Sequence, residues 1–498
     1  MDLKLQIEIK KNNKSLVNID NYTIADKKIT FLFGESGIGK SLISKAIFGL
    51  LDPEDLDIKI NKQDYLSYIK NKDTGELIKN GFFVFQEPST HLHPLITLEE
   101  QLNEGQLSLA ESEVEDLKKL WKGTDSSHLK NLLKIYPKPY RPSGGEKQRV
   151  LCLMALKKIN LMQNNKTSGN GLFVFDEPTG NLDNYYRDVF LAVICEKFIK
   201  KPFTVTFITH DYSIISFFHK NFKNLLPFIE FNELYSENNK LSIRNFLPAE
   251  YLNWVKSIAV RVSGIDFPNQ QRILRFDKDF AVFGKNMAIF KNNTYTVKSD
   301  LIIEPGDLVY FKAPSGVGKT TFAKIILGLT NAHKFNFELD GISINEQTHK
   351  SIWKDKLWGK IVSMVFQHAD EALNQKTKVK EVFDGLKIKN ESVSVLSILS
   401  ELFDTTMLSK FFLNKKVANL SGGQKQKLNL LRGFALNAKL LILDEPVNGM
   451  DFESIKKVIT MIDKKRKLGM GILLISHNEE IFDTFVPDDK KYYLKVID

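Results

Sequence analysis

The stretch GESGIGKSLISKAIFGL, residues 34–50, decides how this chain is to be read. It follows a short β-type run, KITFLF (28–33), and becomes apolar at helical spacing in SLISKAIFGL, so a strand, a glycine-rich loop and a helix succeed one another. Small residues in the pattern G-x-x-x-x-G-K-[ST] let backbone N–H groups curl around an anion at a helix N-terminus, which is how nucleotide phosphates are held. The pattern returns, opened by alanine, as APSGVGKTT (313–321) after the β-type run DLVYF (307–311). One copy is a modest signal, because a glycine-rich strand-to-helix turn is common. Two copies call for a search for further repetition.

Five motifs recur in the same order. The first half carries GESGIGKS, FQEP with Gln86, PSGGEKQR with Ser143, FVFDEPTGNLD with Asp176, and ITHD with His210. The second carries APSGVGKTT, VFQH with Gln367, LSGGQKQK with Ser421, LILDEPVNGMD with Asp444, and ISHN with His477. Most intervals between motifs agree to within three residues. The interval from Ser143 to Asp176 is the exception, and its surplus is readable as a surface-loop insertion in NLMQNNKTSGNG (160–171). The expected division is a first domain over 1–250, a linker over 251–278 and a second domain over 279–498. GLFVF, TVTFI, LLIL and GILLI, before Asp176, His210, Asp444 and His477, are near-continuous apolar runs, as expected of strands buried on both faces of a mainly parallel sheet. The motif aspartates and histidines therefore fall at strand C-terminal ends, where open α/β sheets bind ligands.

The chemistry follows position by position. Gly34, Glu35, Ser36, Gly37, Ile38, Gly39, Lys40 and Ser41 form one phosphate cradle; Ala313, Pro314, Ser315, Gly316, Val317, Gly318, Lys319, Thr320 and Thr321 form the other. Lys40 and Lys319 are expected to reach the β- and γ-phosphates. Ser41 and Thr320, with Asp176 and Asp444, are expected to hold Mg²⁺. Glu177 and Glu445 follow those aspartates directly, where a carboxylate can orient and deprotonate an attacking water. His210 and His477 are candidates for a γ-phosphate contact.

The chain has 498 residues, 43% apolar and 26% charged, the composition of a soluble globular protein. Its 70 Lys and Arg against 60 Asp and Glu leave a net charge of +10, which suits anionic ligands but is more simply a solvated surface. Two cysteines, Cys152 and Cys195, exclude a disulfide framework, a four-cysteine zinc site and a cysteine-ligated iron–sulfur cluster. No signal-like start and no run of about 18 apolar residues is found, so the chain is expected neither to span a membrane nor to be exported by a leader. His91 and His93 have no third ligand nearby and read as unliganded. FFHKNFKNLLPFIEF (217–231) reads as a helix and strand packed on the first domain rather than as a membrane or nucleic-acid face.

The combination of P-loop, FQ, SGG[EQ]KQ, DEP and [TS]H resembles the motif set of ATP-binding cassette (ABC) ATPases, in tandem and over nearly the whole chain. That resemblance implies an α/β fold: two P-loop nucleotide-binding domains, each with a mainly parallel sheet and a helical subdomain. It implies ATP and Mg²⁺ as ligands, and a head-to-tail pairing of the two cassettes. In that pairing Ser421, Gly422 and Gly423 complete the site on Lys40, and Ser143, Gly144 and Gly145 the site on Lys319. It makes Gln86 and Gln367 the start of loops that sense the γ-phosphate and lie at the metal, and it gives Asp183 and Asp451 a reach across the interface. An aromatic for adenine falls about 23 residues before the P-loop, at Phe290 in the second half and at Lys11, a departure, in the first.

FQEPSTHLHPLITLEEQL (85–102) and VFQHADEALNQ (365–375) resemble the segment after the glutamine in peptide and nickel importer ATPases, whereas DEPTGNLD looks more like lipoprotein or macrolide exporters. The expected function is therefore the ATP-hydrolysing subunit of an ABC transporter. It would sit peripherally on the cytoplasmic face of the cell membrane, with separate permease subunits, a substrate-binding protein as a candidate partner, and no nucleic acid. The alternative is a soluble tandem ABC ATPase acting on ribosomes or nucleic acid.

Overall fold

The computed structural model describes residues 2–497 apart from 104–110, 123–125, 136–141, 165–170, 179–183, 238–239, 260–266, 268–270, 315 and 387–393. The chain divides into two compact units, Met1–Glu250 and Tyr251–Asp498.

In the first unit, β1 (Leu3–Lys11) and β2 (Lys14–Ile24) form a hairpin turning at Asn12 and Asn13, both with positive φ. With β4 (Asp57–Ile60) and β5 (Gln63–Asp64) it makes an antiparallel sheet ordered β2-β1-β4-β5. The larger sheet holds β3 (Ile29–Phe33), β6 (Phe82–Val84), β7 (Leu172–Asp176), β8 (Thr204–Ile208), β9 (Ile229–Glu237) and β10 (Lys240–Asn245), ordered β10-β9-β3-β8-β7-β6. All its pairings are parallel except β10 on β9. Every residue of β3, β7 and β8 is buried, which is why those stretches carry no polar alternation. Phe31 stacks on Phe207 and Phe231 at 5.0 and 5.5 Å, so much of this core is aromatic.

Helix α1 (Lys40–Ile47) follows the first P-loop, and α2 (Gly144–Gln163) opens at Ser143. Short helices Leu98–Asn103, Glu111–Leu120 and Ser126–Leu133 lie between β6 and α2 and make the helical part. The expected loop insertion at 160–171 is in part a longer helix. Asn160 is buried in the last turn of α2, and its amide donates to Asp116 Oδ2 at 3.1 Å. Helices α3 (Asn184–Lys200) and α4 (Ser213–Asn221) precede and follow β8. Phe217, Phe218 and Phe231 are buried, so the aromatic-rich stretch is core.

The segment read as a linker carries regular structure: α5 (Pro248–Ala259) and β11 (Leu274–Phe276). In the second unit, β14 (Leu301–Ile303), β11, β16 (Asn336–Leu339) and β17 (Ile342–Asn345) form the smaller sheet. The larger one contains β12 (Asp279–Val282), β13 (Lys285–Phe290), β15 (Leu308–Lys312), β18 (Val362–Val365), β19 (Leu440–Asp444), β20 (Gly471–Ile475) and β21 (Lys491–Ile497). Its order is β12-β13-β21-β15-β20-β19-β18, parallel from β21 to β18. Helices α6 (Lys319–Ile326), α7 (Gly422–Ala435), α8 (Phe452–Arg466) and α9 (Glu479–Phe485) follow the P-loop, the signature, β19 and β20.

Candidate functional site: two nucleotide sites

Each P-loop joins the end of a buried central strand to a helix whose N-cap is a left-handed glycine, Gly39 at φ 117° and Gly318 at φ 113°. The lysines are buried and folded back on the loop. Lys40 Nζ donates to the carbonyls of Gly34 and Glu35 at 2.6 and 3.1 Å, and Lys319 Nζ to those of Ala313 and Pro314 at 2.6 and 3.4 Å. An ammonium folded back on the carbonyls of its own loop stands where phosphate oxygens can take their place. Ser315 lies outside the described residues. Gly34 and Ala313 occupy the same motif position but differ in conformation. Gly34 has φ 147°, and a Cβ there would stand 2.6 Å from the carbonyl oxygen of Leu234. Ala313 does not have positive φ, which is why alanine fits.

The register places Asp176 beside Ile208 and Asp444 beside Ile475, at the C-terminal strand ends. Ser41 Oγ donates to Asp176 Oδ1 at 2.9 Å. Burial pushes the Asp176 carboxyl up to about 6, against the Ser41 hydrogen bond. Asp444, 1% exposed, has both carboxylate oxygens buried, and burial likewise raises its pKa against the Thr320 hydroxyl beside it, although neither oxygen reaches a full hydrogen bond. A buried carboxylate beside the P-loop hydroxyl, found in both units, is a donor set that fits a divalent cation.

Glu177 and Glu445 both adopt left-handed backbone, φ 47° and 50°, and both N–H groups donate to the neighbouring strand, to the carbonyls of Ile208 and Ile475 at 2.9 Å. Two non-glycine residues held this way at matching positions mark a conformation that the fold imposes. Their side chains differ in partner. Glu177 Oε1 lies 2.9 Å from His210 Nδ1. Glu445 Oε2 accepts from Ser476 Oγ at 2.9 Å, while His477 Nε2 stands 3.8 Å from Oε1. Burial opposes charge on His210, but the Glu177 carboxylate outweighs it and holds the ring above its ordinary pKa. Burial pushes Glu445 up to about 7.

Both signature serines are N-caps with a capping box. Ser143 donates its N–H and its hydroxyl to Glu146 Oε2 at 2.8 and 2.9 Å, and His128 Nε2 lies 2.8 Å from Glu146 Oε1. Ser421 donates only its N–H to Gln424 Oε1, at 3.2 Å. The first turns of α2 and α7 supply Gly144, Gly145, Gly422 and Gly423. Gln86 and Gln367 lie on the loops directly after β6 and β18. Asp183 falls outside the described residues. Asp451 caps α8, accepting from Ser454 N at 2.8 Å, with Lys427 Nζ 3.3 Å from its other oxygen.

Other expectations meet the structure differently. Phe290 is 5% exposed, its ring edge-on to Tyr295 at 5.5 Å, so it is packed in the fold. The exposed aromatic nearby is Phe283, 76% accessible at the tip of the β12–β13 hairpin with φ 49°. The sequence signal for it is the Phe-Gly pair between two β-type runs. His91 lies 5.3 Å from the rings of both Phe82 and Phe85, and among the described residues no three or more His, Cys, Asp or Glu side chains come together to hold a metal.

Two P-loops, two strand-end Asp-Glu pairs and two capped signature helices define a protein with two ATP-binding cassettes. The family model described as ABC transporter matches residues 17–180 and 297–448, and the chain belongs to that family. It is an ABC-type ATPase. A peptidoglycan transport ATP-binding protein of Agrobacterium fabrum is 24% identical over 97% of this chain and 89% of its own. A nickel import ATP-binding protein of Shigella boydii is 30% identical over 40% of this chain and 73% of its own. The solved structure of an RNase-L inhibitor covers 98% of this chain and 89% of its own at TM-score 0.58 and 16% identity, a likeness of fold. No described helix is long and apolar enough to cross a membrane.

Proposed function

We propose that this chain supplies both ATPase sites of an ABC transporter and energises transport through separate permease subunits at the inner face of the membrane. The observation that carries the reading is that each half holds a buried P-loop lysine, a P-loop hydroxyl on the strand-end aspartate, and next to that aspartate a glutamate hydrogen-bonded from the following strand end, by His210 in the first half and by Ser476 in the second. A chain that only bound nucleotide would have no use for both glutamates. The similarity to the nickel importer's ATPase, together with the segments after Gln86 and Gln367, favours import, with peptides or nickel as the cargo class.

In this reading ATP binds by its phosphates to the N–H groups of each P-loop, and the lysine exchanges loop carbonyls for β- and γ-phosphate oxygens. Ser41 with Asp176, and Thr320 with Asp444, would hold Mg²⁺, with Gln86 and Gln367 beside it; the ion neutralises charge on the phosphates when bound. Glu177 and Glu445 take a proton from the attacking water, and His210 and His477 face the γ-phosphate. The two cassettes pair head to tail, so the signature turn at Ser421 closes the site on Lys40 and that at Ser143 the site on Lys319. The test is a chain carrying Glu177→Gln and Glu445→Gln together: ATP binding persists, turnover is nearly abolished, and the unaltered chain co-purifies from membranes with a permease. Unchanged hydrolysis would remove the glutamates from the base role, and pelleting with ribosomes instead of membranes would favour a soluble role.

A further inference from the structure

The two strand-end histidines, His210 and His477, are braced by different means. In the first unit the brace comes from the cassette itself. Asp211, next to His210, accepts from Arg187 Nη1 of α3 at 2.6 Å, and Arg187 also donates to Ser213 Oγ at 2.5 Å. Motif by motif, the residue matching Asp211 is Asn478 and the residue matching Arg187 is Ile455 on α8. The ion pair therefore has no counterpart, and Asn478 Oδ1 is buried without a hydrogen-bond partner.

What reaches this region instead is α5, an element that carries none of the five motifs. Tyr251, fully buried, donates its hydroxyl to Glu480 Oε2 at 2.7 Å, a bond between residues 229 apart in sequence. Its ring lies against Phe452, 5.8 Å away, and Trp254 meets the same ring edge-on at 5.3 Å. Phe452 opens α8 directly after Asp451, and Glu480 sits in the first turn of α9, three residues after His477. Tyr310 OH, donating to Ser476 O at 2.9 Å, holds the strand end before the histidine. The helix after it is held by Tyr251.

We propose that Tyr251 is a positioning residue for the Lys319 site, holding α9 through Glu480 so that His477 keeps its aim. This rests on the reading of His477 as a γ-phosphate contact. The aromatic packing fixes the phenol, and a hydrogen bond to a carboxylate is directional enough to set the angle of a short helix. Arg187 on Asp211 does the same work in the first unit, which is why the first unit needs no such element.

The test uses the full chain with Tyr251→Phe, which keeps the ring and removes the donor. On a Glu177→Gln background, where hydrolysis is left to the Lys319 site, the expected result is a fall in kcat of about tenfold at unchanged KM for ATP, the factor that accompanies loss of one charge-assisted hydrogen bond. Hydrogen exchange should rise over 477–485 and stay unchanged over 209–221. Glu480→Gln, which keeps size and an amide oxygen, should give a smaller change in the same segment, and serves if Tyr251→Phe does not fold. Unchanged kcat, or exchange rising equally in both segments, would overturn the proposal. The glutamate double variant is measured separately, so failure of the hydrolytic reading is told apart from failure of this one.

Discussion

His210 Nδ1 lies 2.9 Å from Glu177 Oε1, whereas His477 Nε2 and Glu445 Oε1 are 3.8 Å apart and Glu445 accepts from the Ser476 hydroxyl and the His477 backbone N–H instead. The repeated motifs are thus not wired alike. The signatures differ in the same sense: Ser143 gives its hydroxyl hydrogen to the Glu146 carboxylate, while Ser421 faces a neutral glutamine. Glu146 brings negative charge to where a γ-phosphate is expected, and Pro142 restricts the backbone before it.

On the proposed head-to-tail pairing, which would give the Lys40 site the Ser421 signature, that site is predicted to turn over faster. In single-turnover hydrolysis at saturating ATP, Glu177→Gln should remove more activity than Glu445→Gln. Equal losses, or a larger loss from Glu445→Gln, would refute the ordering.

Arg187 is predicted to carry more stability than any surface ion pair. Burial opposes charge on Asp211, but Arg187 overcomes it and holds the Asp211 carboxyl below its ordinary range. Its stabilisation is then present above the unfolded aspartate value and is lost as pH falls through the lower folded value. Arg187→Met strands the carboxylate and should cost about 3 kcal/mol at neutral pH in the first denaturant transition, with the loss shrinking in acid. A pH-independent loss would mean that packing, not charge, accounts for it.

The catalytic strands were legible in the sequence because β3, β7, β8, β19 and β20 are buried on both faces and read as unbroken apolar runs ending at the motifs. Contacts distant in sequence were not. Tyr251 on Glu480 and Arg187 on Asp211 obey no local period, and α5 looked like linker because it carries no motif. Counting back from the P-loop led to Phe290 for a physical reason: β2 runs unbroken from Lys14 to Ile24, whereas the second unit interrupts the matching stretch with a loop between β13 and β14. A fixed count therefore lands deeper in the strand.

Gly34 and Ala313 are predicted to respond oppositely to substitution. At Gly34, φ 147° and the 2.6 Å approach of Leu234 O leave no room for a methyl group. Gly34→Ala should weaken ATP binding at the first site and lower stability by about 2 kcal/mol. Ala313→Gly should change stability by less than about 1 kcal/mol. Isothermal titration and thermal melts of the two variants check this, and a harmless Gly34→Ala would refute it.

Phe283 is predicted to contact the base of the nucleotide on Lys319, and Phe290 to serve the core. The ladder fixes the direction. Phe290 pairs with Tyr493, which pairs with Lys312, the last residue before Ala313. Because β13 runs antiparallel to β21 and β21 parallel to β15, going back along β13 from Phe290 leads past the strand end toward the P-loop side. Phe283 stands at the end of that path, exposed, and the matching hairpin tip in the first unit carries Asn12 and Asn13 instead. Stacking of one base on an aromatic ring contributes about 1–3 kcal/mol. Phe283→Ala should therefore weaken ATP binding at one of the two sites by about tenfold or more while leaving the melting temperature nearly unchanged. Phe290→Ala should do the reverse, lowering stability by about 3 kcal/mol as a cavity opens beneath Tyr295. Equilibrium titration with a fluorescent ATP analogue, alongside calorimetry, separates the two, and unchanged nucleotide affinity in Phe283→Ala would remove that ring from the site.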